Sequence, residues 1–316
     1  AEMAALATGN PLMVERVMLD GELKKLDMSR RTFNNRMNGM RAELDRANKT
    51  IDNADGQVAV AKGFADDVRT ARKAAMERSA QRKIDISGTI LKDSDSARAA
   101  LAEEISRQRA GDENARWSVQ IDGNKVTTAD TANAEITRIF GTPGFDAAVN
   151  GKTEVSFSRA SAAIADHINR TVAAASFDDS VAIDGITILG MPVEVDSYIN
   201  PYARTGSTDR VVSFSFLHNK KEAWSTEQDA SKGTITQQGV RAALDKIFER
   251  MTPEQQEGNA AYYAEEKVKA IEKKPELEAE LGKPWPLAED YEKKKARQAE
   301  VIASLEKASV NDQLDE

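Results

Sequence analysis

Cysteine is absent from this 316-residue sequence, which removes disulfides and thiolate metal sites together. Histidine is scarce: only His167 and His218 occur, so a zinc centre would have to rest mainly on carboxylates, and none is expected. Aromatic residues make up 5% of the chain. No run approaches the roughly 18 apolar residues of a membrane span. The first residues have neither the basic start nor the apolar core of a signal peptide. A membrane partner is therefore not expected, and the cytoplasm is the expected location. What the chain does have is charge, 30% of its residues, beside a 40% hydrophobic share. That mixture fits long, surface-rich helices better than one large globule. The length allows one large or two medium domains.

A net charge of -8 argues against wholesale coating of nucleic acid, but the charge is unevenly spread. Residues 21–83 hold 15 Lys and Arg against 9 Asp and Glu, whereas 252–316 hold 10 against 16. The basic and acidic ends are expected to meet, because complementary potentials favour one pairing over others.

From Leu19 onward small or apolar residues recur in steps of four and three: Leu19, Leu23, Leu26, Arg30, Phe33, Met37, Met40, Leu44, Ala47, Ile51. The same register runs on through Ala54, Val58, Ala61, Ala65, Val68, Arg72 and Ala75. A heptad seam of this kind is the mark of helices packed side by side. It predicts one helix from about Pro11 to Arg82, roughly 105 Å long, or else a hairpin turning at Asn53–Gly56; the unbroken register favours the single helix. Asn10 fits the N-cap and Pro11 the first turn.

After a break at Ile86–Thr89 a second, shorter helix is expected over 93–110. The pattern then changes: the alternation around Asp122-Gly123 in RWSVQIDGNKVTT is a hairpin signal. Helices are read at 128–141 and 160–175. Strands are read at 152–160, twice within 181–199 around a Gly-Met-Pro corner, at 209–218 and at 222–228. From Thr234 helices return, one ending before Pro253 and two more following. The expected fold class is α+β, a long coiled-coil helical stalk formed by the N- and C-terminal helices with a small mixed α/β head domain between them. The expected domains are 1–111, 112–233 and 234–316.

Chemical motifs are sparse. NGKT at 150–153 resembles the end of a P-loop, but the position of its first glycine holds Asp146, which would repel phosphate, so the stretch reads as a turn before a strand. INPYAR at 199–204 is reminiscent of the Asn-Pro-Pro-Tyr loop of adenine methyltransferases. Asn200, Pro201 and Tyr202 lack its second proline, and a β-turn is the better reading. His167 and His218 read as hydrogen-bonded structural side chains. No nucleophile, paired-acid or metal arrangement surrounds them, so neither catalytic residue, cofactor nor metal is assigned. The one functional cluster is basic: Arg30, Arg31, Arg36, Arg41, Arg69, Arg72 and Lys73, with Arg46, could neutralise phosphates of duplex DNA. The competing reading is a solvated or ion-paired helix face. Arg30 and Arg72 fall on the seam itself, where a charge more often fixes register and partner.

Two stretches carry a resemblance. EMAALATGNPLMVERVMLDGELKKL (2–26) resembles the segment following the helicase core in very large phage, plasmid and conjugative-element proteins. These join an adenine DNA methyltransferase-like region to a Swi/Snf-type superfamily-two helicase, the DarB-like antirestriction proteins among them. Arg16 stands where that pattern has Lys. LEAELGKPWPLAEDYEKKKARQAEVIASLEKA (277–308) is similar to the closing pattern of the family, with the corner Lys283-Pro284-Trp285-Pro286 before a last acidic helix. GITILGMPVEV (185–195) looks like its glycine-containing strand region. The resemblance implies a noncatalytic C-terminal region whose internal partner is the helicase/methyltransferase core of the same polypeptide. It implies an internal junction at the start of the chain. The motor's ATP site and the methyltransferase loops are absent, so no catalytic residue transfers. The alternative is a structural coiled-coil module for oligomerisation, or for docking a phage or conjugation protein, without DNA contact.

Overall fold

The seam becomes one uninterrupted helix. In a computed structural model that describes residues 10–175, 180–201, 209–230 and 233–314, α1 spans Pro11–Ala80. The Leu12 N–H donates to Asn10 Oδ1 at 2.9 Å, the cap expected there. No hairpin forms at Asn53–Gly56. Nine seam positions, Leu23, Leu26, Met37, Ala47, Ala54, Ala61, Ala65, Val68 and Ala75, are buried. The described residues form an α+β fold, 63% helical, with seven helices and three small antiparallel sheets. By contacts the chain divides into two compact units, one of residues 1–55 with 264–316 and the other of 56–263.

The second unit begins with the rest of α1 and continues with β1 (Ile84–Ile86), β2 (Thr89–Leu91), α2 (Ser94–Gln108), β3 (Val119–Ile121), β4 (Asn124–Val126) and α3 (Ala129–Phe140). It goes on with β5 (Ala147–Val149), β6 (Lys152–Glu154) and α4 (Phe157–Ala174). One sentence of sequence is repeated three times in this stretch. Each hairpin turns on a residue pair with positive φ, Ser87-Gly88, Asp122-Gly123 and Asn150-Gly151. That is the type I′ geometry whose twist matches paired strands. Five residues after each glycine stands the N-cap of the next helix, Asp93, Thr128 and Ser156. The Asp93 and Thr128 side chains accept from the N–H groups of Ser96 and Thr131.

The chain then supplies β7 (Ser180–Ile183), β8 (Ile186–Ile188), β9 (Met191–Pro192), β10 (Glu194–Ile199), β11 (Arg210–His218), β12 (Lys221–Ala230) and α5 (Gln237–Arg250), and α6 spans Pro253–Leu281. The sheet orders are β2-β1-β3-β4, β6-β5-β8-β9 and β12-β11-β10-β7. The first two share one plan: a pair of hairpins joined through their first strands, at Ile86↔Ile121 in one and at Ala148↔Thr187 in the other. A large apolar core built on Phe64, Phe145, Ile164, Phe214 and Leu244 holds α1, α4, α5 and the last two sheets. A separate core of Ile84, Leu101, Trp117, Ile121 and Ile136 fills the first sheet against α2 and α3.

The first unit is helical: α1 to residue 55, α6 from 264, and α7 (Ala288–Leu314). Five ion pairs join α1 to α6 and α7 within it among the described residues: Arg36–Glu280, Glu43–Lys273, Asp55–Lys267, Glu22–Lys294 and Glu15–Arg297. Rising numbers on α1 meet falling numbers on the others, so the later helices run antiparallel to it. The two ends do meet. The polarity is the surprise, since within this unit Arg36–Glu280 alone among the five joins a base of α1 to an acid of α6 or α7, and the other four run the opposite way; Arg69–Glu257, in the second unit, has the expected sense. Net charge averages over faces that point to solvent, so it does not set the sign at the contact. Trp285, in the Lys-Pro-Trp-Pro corner, packs beside Tyr291 with Leu23 and Leu26.

Candidate nucleic-acid interface

The basic candidates are divided between the units, with Arg30, Arg31, Arg36 and Arg41 in the first and Arg69, Arg72 and Lys73 in the second. At about 100° per residue, Arg30 and Arg41 lie within about 20° of each other around α1, with Arg31 about 100° to one side and Arg36 about 120° to the other. The first four therefore surround the helix instead of forming one stripe.

Their partners sort them further. Arg30 pairs with Asp27 at 3.1 Å and lies over the Tyr291 ring, 4.8 Å from its centroid. Arg36 pairs with Glu280 at 3.3 Å. Arg69 pairs with Asp66 and with Glu257. Arg72 is half-buried: its Nε donates to the Met251 carbonyl at 3.2 Å, its Nη2 to the Phe248 carbonyl, and its guanidinium covers the Phe248 ring. It thus closes the end of α5, where carbonyls lack helical partners. Burial lowers its pKa. Arg41 donates to Asn38 at 3.2 Å and has no carboxylate partner among the described residues. Arg31 and Lys73 are exposed, and neither has an ion pair there.

Between Asp27 and Glu43 the helix carries four arginines, Arg30, Arg31, Arg36 and Arg41, and three asparagines, Asn34, Asn35 and Asn38, with no acidic residue. All seven of these residues are exposed. Such a stretch offers charged donors and amides without competing carboxylates, which is what contact to phosphate and sugar requires.

Two further arginines, Arg78 and Arg82, look alike in sequence but work inside the fold. Arg78 makes a two-point contact with Asp146, Nε to Oδ2 at 2.7 Å and Nη2 to Oδ1 at 3.2 Å. Arg82 donates to the carbonyls of Phe140 and Phe145, and burial lowers its pKa. Asp146, 6% exposed, owes its place to this clamp. The only sequence signal for it was an acid lodged between the apolar Phe145 and Ala147.

The remaining motifs have structural settings. Asn150-Gly151 is a hairpin turn, and Lys152 reaches Glu154 at 3.6 Å. His167 Nε2 lies 2.8 Å from the Asp184 carbonyl. His218 Nδ1 lies 2.6 Å from Asp67 Oδ2, and its ring fills the space that a side chain at Gly63 would need. Asn200 and Pro201 follow β10, and Tyr202 lies outside the described residues. No group of three or more His, Asp or Glu side chains is placed to hold a metal among the described residues, and no helix there is long and apolar enough to cross a membrane.

No protein-family model matches the chain, and no curated protein is significantly similar to it.

Proposed function

We propose that the chain is a noncatalytic accessory region of a large DNA-acting helicase and adenine methyltransferase carried by a phage, plasmid or conjugative element. In this reading α1 positions duplex DNA, or the motor, by touching phosphates. The observation that carries it is the acid-free arginine run of residues 28–42, exposed on α1. Arg31 and Arg41 are the leading contacts, because neither is held by a carboxylate. Arg30, about 20° from Arg41 around α1, can join by exchanging its surface partner Asp27, an exchange that costs little because exposed pairs contribute only about 0–1 kcal/mol. Arg36, on the far side and paired with Glu280, is not part of that contact. Arg69 and Lys73, one turn apart, form a secondary contact. Arg72 belongs to the fold.

Fluorescence anisotropy of the whole chain with labelled duplex tests this reading. Affinity should fall linearly on a log–log plot against salt, and each removed phosphate contact should reduce the slope by about 1. Arg31→Glu with Arg41→Glu should abolish binding while leaving the melting temperature unchanged. Absence of binding at about 50 mM salt, or binding indifferent to the double reversal, overturns it.

The second reading, a structural or protein-interaction module without DNA contact, draws on a specific observation. Arg30, Arg36, Arg69 and Arg72 already have partners within the chain. Pull-down of a partner from the cognate element by a chain that fails to bind duplex would favour it.

A further inference from the structure

The strand β12 is unlike the other strands that border the sheets. It runs for ten residues, whereas β2, β4, β6, β7 and β9, the other terminal strands, have two to four. It pairs with β11 alone, so along its other side a row of backbone N–H and C=O groups is unpaired among the described residues. A long open edge is a template for another strand, and proteins normally blunt it by shortness, bulges or charge. Here the bulge lies at Phe216/Leu217, against the first residues of β12, and leaves the stretch from Trp224 to Ala230 in regular register.

From Trp224 to Ala230 the charged side chains of β12 are all acidic, while Lys221 stands at its start, beside the bulge. Ser225, Glu227 and Asp229 alternate on one face of β12 and are exposed. In register they meet Ser215, Ser213 and Val211 of β11, which in turn meet Glu194, Asp196 and Tyr198 of β10. Residues directly opposite share a face of the sheet. That face therefore holds Glu194, Asp196, Glu227 and Asp229, and no basic side chain occupies those rows. The Tyr198 hydroxyl donates to Glu227 Oε1 at 2.6 Å, which fixes one of these carboxylates. On the opposite face Trp224, Thr226 and Gln228 are half-buried, and the Gln228 amide nitrogen is buried without a hydrogen-bond partner among the described residues. A cleft of about 600 Å³ borders Glu227, Gln228 and Asp229 at this end of the strand, with Lys246 of α5 as the one basic residue in its lining among the described residues.

We propose that the free edge of β12 receives an extended segment of a basic partner protein, added antiparallel as a further strand. Backbone bonds supply its affinity, as in other cases of strand addition. Lysine or arginine at every second position of the incoming segment answers Ser225, Glu227 and Asp229. Small or apolar residues at the intervening positions lie beside Trp224, Thr226 and Gln228. A second copy of this chain is a poor occupant, since pairing β12 with itself sets its own acids against one another.

The test uses the whole chain and three synthetic ten-residue peptides: alternating lysine and valine, the same peptide N-methylated on alternate backbone nitrogens, and alternating glutamate and valine. The lysine peptide should bind, and amide hydrogen exchange should slow in β12 and not in β2 or β7. The N-methylated and glutamate peptides should bind at least tenfold more weakly. Glu227→Gln with Asp229→Gln should weaken the lysine peptide by a similar factor, with far-UV circular dichroism unchanged. Equal binding of the N-methylated peptide, protection outside β12, no binding of the lysine peptide, or a dimer formed through β12 without peptide would each overturn the proposal.

Discussion

The two compact units are held by different forces. In the second, cores centred on Phe145 and Phe214 and on Ile121 and Ile136 bury aromatic and branched side chains almost completely. In the first, the apolar cluster is Leu23, Leu26 and Tyr291 with Trp285 against it, and the helices are otherwise laced by ion pairs and a few buried side chains such as Met37, Ala47, Leu277 and Val301. Burial stabilises in proportion to apolar area, whereas exposed ion pairs contribute little and weaken with salt. A sheet-bearing core and an ion-paired helical layer can thus share α1 while answering differently to truncation, salt and pH.

The largest effect should come from the core. Phe214→Ala removes a fully buried ring and should cost about 3–5 kcal/mol, seen as early loss of the near-UV signal of the second unit. An equal loss of helicity in the first unit at the same temperature would show that the two do not melt separately.

Arg72→Ala should be next. It strips the donors from the Phe248 and Met251 carbonyls at the end of α5 and should destabilise by about 1–3 kcal/mol. Arg72→Lys should recover only part, because an ammonium cannot reproduce the planar two-nitrogen contact.

A pair of glycines sharpens the contrast. Gly39, in the first unit, has open space where a Cβ would stand, so Gly39→Ala should stabilise α1 by about 0.5–1 kcal/mol. At Gly63, in the second unit, a Cβ would overlap the His218 ring, which is held by Asp67. Gly63→Ala should therefore destabilise by about 1–3 kcal/mol. Thermal melts of both variants check the opposite signs.

The smallest effect is that of acid on the first unit. The Arg297 guanidinium beside Glu15 and the Lys273 ammonium beside Glu43 hold both carboxyls below the usual carboxylate value. Their stabilising contribution is present above the ordinary glutamate pKa and is lost as pH falls through the lowered values. Amide protection in α1 before residue 55, relative to the intrinsic exchange rate at each pH, should fall below about pH 4, and about 1 M salt should mimic part of this at neutral pH. In the second unit the Glu227 carboxylate pushes the Tyr198 hydroxyl up to about 12. That contribution runs the other way, present below the ordinary tyrosine value and lost as pH rises through the raised one.

Much of the helical part was legible because a heptad seam repeats over many turns: nine of the eleven buried apolar residues of α1 lie on the expected seam, Phe64 and Ala71 being the exceptions, and the Asn10 cap is in place. Asp122-Gly123 was readable as a turn because both residues accept positive φ. The same signal at Ser87-Gly88 was weaker, with serine in the first place, and a hairpin was read as a mere break. The stretch 181–199 forms four short strands where two were expected, since Leu189-Gly190 folds as another type I′ turn and leucine gives no hint of positive φ. At the basic cluster the chemistry was readable but the partners were not. Arg72 and Arg31 are alike in sequence; one closes a helix end across 176 residues of chain, and the other meets solvent. Contacts that distant leave no local pattern.

Duplex DNA affinity, measured across salt for the whole chain and for two charge variants side by side, tests the central claim most directly. Arg31→Glu with Arg41→Glu should lose binding and keep its melting temperature, whereas Arg72→Ala should keep binding and melt earlier. Retained binding in the first variant, or no binding by the parent chain, would contradict the assignment of α1 as a DNA-positioning helix.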